Sequence, residues 1–199
     1  MANDKKSPSV PTGTKDGTSR AEPGQQNPAL HGASDPLHLA GLLIENERLM
    51  AQFYRSAGRR FGDLAEAFEI LAGEEDAHAK VIERIRTQIE QAPQRFGAGR
   101  ISATTLMQVA DDLRSLIRDV DEDRIDSRYA LTRVTSLEGA LAERRLGETL
   151  TADDPALLAP LHAIAEGFNR HALRLREIHE AVFGPTGPLR TYAQSKDRR

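Results

Sequence analysis

At 199 residues the chain is long enough for one domain with a real core; 29% of it is charged and only 5% aromatic, with no Trp, the balance of a helical bundle built on Leu, Ile, Val and Ala. It has no Cys, which excludes disulfides, zinc knuckles, thiol catalysis and a Cys-ligated iron centre. Net charge is −3 with no basic patch interleaved with aromatics, so nucleic acid is not an expected partner; no apolar run spans a membrane, and the expectation is a soluble, cytoplasmic chain.

Residues 1–34 are rich in Ser, Pro, Gly, Thr, Lys and Gln, with almost no large apolar side chains. Burial there cannot offset ordering entropy, so the composition predicts a disordered tail. Asp35-Pro36 then reads as a helix start, with Asp as cap and Pro in the first turn. The first helix is predicted to run to about Ala57, with Leu39, Leu43, Glu47, Met50 and Tyr54 on its inward stripe. After a turn over Gly58 to Gly62, Asp63 and Glu66 resemble a capping box. The second helix continues to about Gln91 along Phe68, Leu71, Glu75, His78, Ile82, Ile85 and Ile89, and Pro93, Gly97 and Gly99 break it.

An amphipathic segment at 102–120 (Leu106, Val109, Leu113, Leu116 or Ile117, Val120) reads as a crossover helix, with a subunit contact as the alternative. The next helix is predicted from Asp126 to Leu150, with Leu131, Val134, Glu138 and Leu141 on one face. Asp154-Pro155 repeats the start signal. The last helix follows to about Phe183 along Leu158, Leu161, Ala165, Phe168, His171, Leu175, Ile178 and Val182. Residues 184–199 read as a flexible basic tail. The expected domain, 35–183, is all-α: two antiparallel hairpins joined by the crossover helix.

Glu75 and His78 are three residues apart and share a helix face, where one carboxylate oxygen and one imidazole nitrogen can meet a divalent metal. Glu47 and Glu138 interrupt otherwise apolar stripes, and a carboxylate inside a core is costly unless paired, protonated or metal-bound. Segments 71–85 and 164–178 overlay so that His78 matches His171, while Phe168 stands where the first copy has Glu75. Glu47 to Glu75 spans 28 positions and Glu138 to Phe168 spans 30, each with its turn near the middle, so the four positions fall at one level of an antiparallel arrangement. Glu143 rivals Glu138 but lies nearer the turn, on a face with Ala140 and Gly147. Glu166 cannot replace the missing carboxylate, because it lies about 140° around the helix from His171. For His171 the reading as a satisfied core histidine stands beside the ligand reading. His162 and His179 are placed away from the level of Glu75, facing solvent or a helix flank; His31 and His38 lie in or near the tail. Arg145 offers a metal-free partner for Glu138 or Glu148, and Tyr54 is either a hydrogen-bond partner of a site carboxylate or plain core.

At these residues the chain resembles the ferritin-like superfamily, in particular rubrerythrin-type di-iron domains. The likeness covers roughly 36–92 and 126–183: Glu47 with Tyr54 seven residues on, Glu75-Asp-Ala-His78 as the first Glu-x-x-His, Glu138 as the third-helix carboxylate, and Phe168-Asn-Arg-His171 as a second Glu-x-x-His that has lost its Glu. The resemblance implies a ferritin-like four-helix bundle holding non-haem iron, mono- or dinuclear, or manganese. Its ligands would be Glu47, Glu75, His78, Glu138 and His171, and its activity ferrous-iron oxidation or peroxide reduction. It further implies a homodimer and, with no Cys, an external electron donor. The alternative expectation is a metal-free scaffold or interaction protein that kept the bundle and lost the site.

Overall fold

A computed structural model describes residues 35–143 and 148–184, apart from the side chains of 140–143 and Phe168. Five helices are present there: α1 (Pro36–Arg60), α2 (Ala65–Gln91), α3 (Ala103–Asp121), α4 (Ser127–Glu143) and α5 (Ala159–Phe183). Two three-residue strands, β1 (Phe96–Ala98) and β2 (Leu150–Ala152), and three short 3-10 turns accompany them among the described residues. The two expected tails lie outside the described residues.

The Asp-Pro signals act as read. The Asp35 side chain accepts from Leu37 N, and Asp154 accepts from Ala156 N at the head of a single 3-10 turn that feeds α5. Ser102 caps α3 by accepting from Thr105 N, and Asp126 accepts from Tyr129 N at the start of α4. The expected Asp63–Glu66 capping box does not form: a 3-10 turn over Gly62–Leu64 leads into α2, whose cap residue Leu64 makes no side-chain bond. Arg60, not Ala57, ends α1, because Gly58 sits inside the helix and only Phe61 leaves helical geometry.

α1 and α2 form one hairpin and α4 packs on α5. The apolar face of α3 is spent against α1 within the chain, where Asn46 Nδ2 donates to Leu106 O at 3.2 Å and Arg114 pairs with Glu45. A single core draws on all five helices, including Leu43 and Phe53 of α1, Phe68 and Ile82 of α2, Leu113 of α3, Leu131 of α4 and Leu175 of α5. Val182, expected inside, is exposed.

Leu150 was expected in a helix and lies instead in β2, which pairs antiparallel with β1 in the register Phe96↔Ala152, Gly97↔Thr151, Ala98↔Leu150. The pairing continues through Gly99 N to Thr149 O and Arg100 N to Glu148 O, both 2.8 Å. A Cβ on Gly99 would overlap the Glu148 carbonyl, so only glycine permits that approach. The residues that break α2 in the sequence thus form a clip between the end of α2 and the start of α5.

Candidate metal centre

Four helices deliver five side chains to one buried place. α1 brings Glu47, α2 brings Glu75 and His78, α4 brings Glu138 and α5 brings His171; all are buried except His78, which is 15% exposed along its side chain. The three-residue spacing points Glu75 and His78 the same way, and His78 Nδ1 lies 3.0 Å from Glu75 Oε2 and 3.3 Å from Glu47 Oε2. On the other side of Glu75, His171 Nδ1 lies 2.9 Å from Glu75 Oε1 and 3.4 Å from Glu138 Oε1. The imidazoles stack at 5.6 Å between centroids. Two triplets result, Glu47–Glu75–His78 and Glu75–Glu138–His171, each with its donor atoms within 4.8 Å of one another, and Glu75 belongs to both.

Buried polar atoms normally find hydrogen bonds. Here Glu47 Oε2, Glu75 Oε1, Glu138 Oε2 and His171 Nδ1 are buried and make none. The 2.9 Å approach of His171 Nδ1 to Glu75 Oε1 lacks hydrogen-bond direction. His78 Nδ1 and Glu75 Oε2 satisfy each other at 3.0 Å, but these four atoms are left over, and a cation in each triplet would satisfy them. These oxygen and imidazole donors suit iron, manganese or zinc, and each triplet can hold a metal ion.

The electrostatics divide the carboxylates. Burial and the neighbouring Glu75 charge push Glu47 well above the carboxylate range. Burial also raises Glu138, to about 7, against the opposing pull of His171. Burial would raise Glu75 too, but the close imidazoles of His171 and His78 override it and hold this carboxyl low. Both imidazoles are themselves raised, His78 to about 9 by Glu47 and Glu75 and His171 to about 10 by Glu138 and Glu75, in each case against the effect of burial. Without metal the cluster is thus a set of imidazoliums facing an ionised Glu75 flanked by two reluctant acids.

A second layer orients the first. Tyr54, fully buried on α1, donates from its hydroxyl to Glu138 Oε1 at 2.8 Å. His171 uses its other nitrogen, Nε2, to reach Glu74 Oε2 at 2.5 Å, while Arg174 donates to Glu74 Oε1 at 3.1 Å. Gly167 of α5 lies over the His78 ring, where an added Cβ would stand 3.2 Å from His78 Cε1.

All five expected ligand residues are brought together, and the structure places Tyr54 beside a site carboxylate. Glu143, Phe168 and Arg145 as side chains lie outside the described residues, as does His31. His38, His162 and Glu166 are exposed. His179 is a correction: it is buried, one turn beyond Leu175, with its ring 5.2 Å from that of Phe183, because the inward stripe of α5 is wider than the expected one. Sequence reasoning missed Glu74 and Gly167. Neither lies on an apolar stripe; the only available signal was the doubled acid Glu74-Glu75 three residues ahead of His78. Compared with protein-family models, curated proteins and solved structures, the chain matches none.

Proposed function

We propose that the chain is a ferritin-like, rubrerythrin-related metal-binding protein that holds two iron ions, one in each triplet, with Glu75 as their shared carboxylate. The observation that carries this reading is the set of buried donor atoms without hydrogen bonds on Glu47, Glu75, Glu138 and His171, residues that fall into two ligand triplets sharing Glu75. In this reading α1, α2, α4 and α5 are the four bundle helices and α3 is the crossover. Ferrous iron held there would supply electrons to oxygen or peroxide, an activity of ferroxidase or peroxide-reduction type. The residues bind and neutralise: three carboxylates offset the metal charge, and both imidazoles give up a proton to present Nδ1 lone pairs. Three protein donors per position is fewer than iron commonly takes, which leaves room for a small oxygen species. Tyr54 holds Glu138 in place from the dry side. A homodimer and an external electron donor belong to the same reading.

The test is bound metal per chain after anaerobic loading with ferrous iron and desalting, for the wild type and for Phe168→Glu. Two irons per wild-type chain are expected. One, rising to two in the variant, would replace the dinuclear site with a mononuclear one, and none would overturn the metal reading. A second reading, a metal-free scaffold, is favoured by the way imidazoliums of His78 and His171 balance the carboxylates. It requires that iron leave the melting temperature unchanged.

A further inference from the structure

His171 is pinned from two sides. Its Nδ1 faces Glu75 and Glu138, and its Nε2, across the ring, meets Glu74 Oε2 at 2.5 Å. The ring is 2% exposed, whereas Glu74 is 39% exposed along its side chain and stands at the rim. Glu74 uses both oxygens, since Oε1 accepts from Arg174, three residues beyond His171 on the same face of α5. An exposed Glu–Arg pair alone contributes little. The contact to buried Nε2 is different, because it decides which imidazole nitrogen carries the proton. Glu74 lies on the far side of the ring from Glu75 and Glu138, so it does not share an ion with them through the same imidazole.

We infer that Glu74 is a positioning residue for the Glu75–Glu138–His171 metal position: its carboxylate, braced by Arg174, takes the His171 Nε2–H and thereby fixes Nδ1 as the metal donor. This rests on the metal reading above and deepens it, because it makes the two positions unequal. An outer carboxylate orients the ring and raises its basicity, and loss of such a partner typically costs about 10–100-fold in metal affinity. The pair Glu74-Glu75 then reads as two tasks on adjacent residues. Glu75 faces both ions, and Glu74 turns outward by one residue step to hold the histidine across the helix interface.

Cobalt(II) is the probe, added to the full chain and to Glu74→Ala and Glu74→Gln, with uptake followed by visible absorption. Wild type is expected to take two ions. Glu74→Ala should keep one tight ion and bind the second at least about tenfold more weakly. Glu74→Gln, which retains a carbonyl acceptor for Nε2–H, should recover part of the loss. In the cobalt-loaded protein the His171 Nε2–H is expected as a paramagnetically shifted, slowly exchanging proton resonance. That resonance should exchange fast in Glu74→Ala and persist in Glu74→Gln; a merely structural role would not move a single imidazole proton. Two ions of unchanged affinity with a protected Nε2–H in Glu74→Ala would overturn the role of Glu74 alone. Wild type that takes up no cobalt would overturn the metal reading and this inference with it.

Discussion

Tyr54 on α1 and Glu138 on α4 are joined by a 2.8 Å hydrogen bond between groups that are both completely buried. It ties the two hairpins together at the site and leaves Glu138 Oε2 as the oxygen without a partner. Tyr54→Phe removes the donor and keeps the ring, which packs against Phe53 and Phe68. The variant is expected to lose about 1–3 kcal/mol of stability in urea unfolding of the metal-free protein, the usual cost of stranding a buried acceptor. An unchanged midpoint would show that the bond does not form in solution.

Glu75 is the residue common to both triplets. A metal bound at a hundred times its dissociation constant adds about 2.7 kcal/mol, which for a chain of this size is a rise of about 5–10 °C in melting temperature. Ferrous iron added without oxygen is expected to produce that rise in the wild type and none in Glu75→Ala. Differential scanning calorimetry reads both.

The metal-free protein should lose stability as pH rises from 7 to 10. His78 and His171 are raised from 6.5 to about 9 and 10, which sets this window, whereas Glu138, raised from 4.5 to about 7, loses its contribution earlier, between those two values. A group raised on folding contributes fully below its unfolded value, and that contribution disappears as pH climbs through the folded value. Melting temperatures across this window should fall without metal. Metal uptake at pH 7 should release more than two protons, one from each imidazole because the ligating form is neutral, and the rest from Glu47 and Glu138, whose raised acids must ionise to ligate. Calorimetric titration in two buffers of different ionisation enthalpy counts them, and a count of zero would contradict the assignment of both histidines as ligands.

Gly167 tests the other histidine. Alanine gains about 1 kcal/mol of helix propensity over glycine, but its Cβ would press on the His78 ring from 3.2 Å. Gly167→Ala is therefore expected to melt within a few degrees of wild type while its affinity at the Glu47–Glu75–His78 position falls. An affinity at that position unchanged from wild type would show that His78 moves aside freely.

The helices were legible because caps and stripes are local: Asp35, Ser102 and Asp154 each mark a start, and inward residues recur at helical spacing from Leu39 to Tyr54. The residues of the cluster were legible for a related reason, since Glu47 and Glu138 stand in apolar company where a carboxylate needs a purpose. The clip was not. Three-residue strands are too short to show alternation, and the pairing of Phe96 with Ala152 joins residues far apart in the chain. Glu74 was missed because its partner nitrogen, His171 Nε2, becomes its neighbour only when α2 and α5 are aligned.

That alignment has a gauge. The clip fastens the end of α2 to the approach of α5, roughly 24 Å along α2 from Glu75. A slip of one residue in a ladder displaces a strand by about 3.3 Å, whereas a metal site tolerates a few tenths of an ångström in its donor distances. The Gly99 approach to Glu148 excludes a side chain at that end of the ladder and so helps to hold its setting. If the cluster holds metal as proposed, two strands that contribute none of its residues act as a vernier for it, placed at the far end of the helices that carry it.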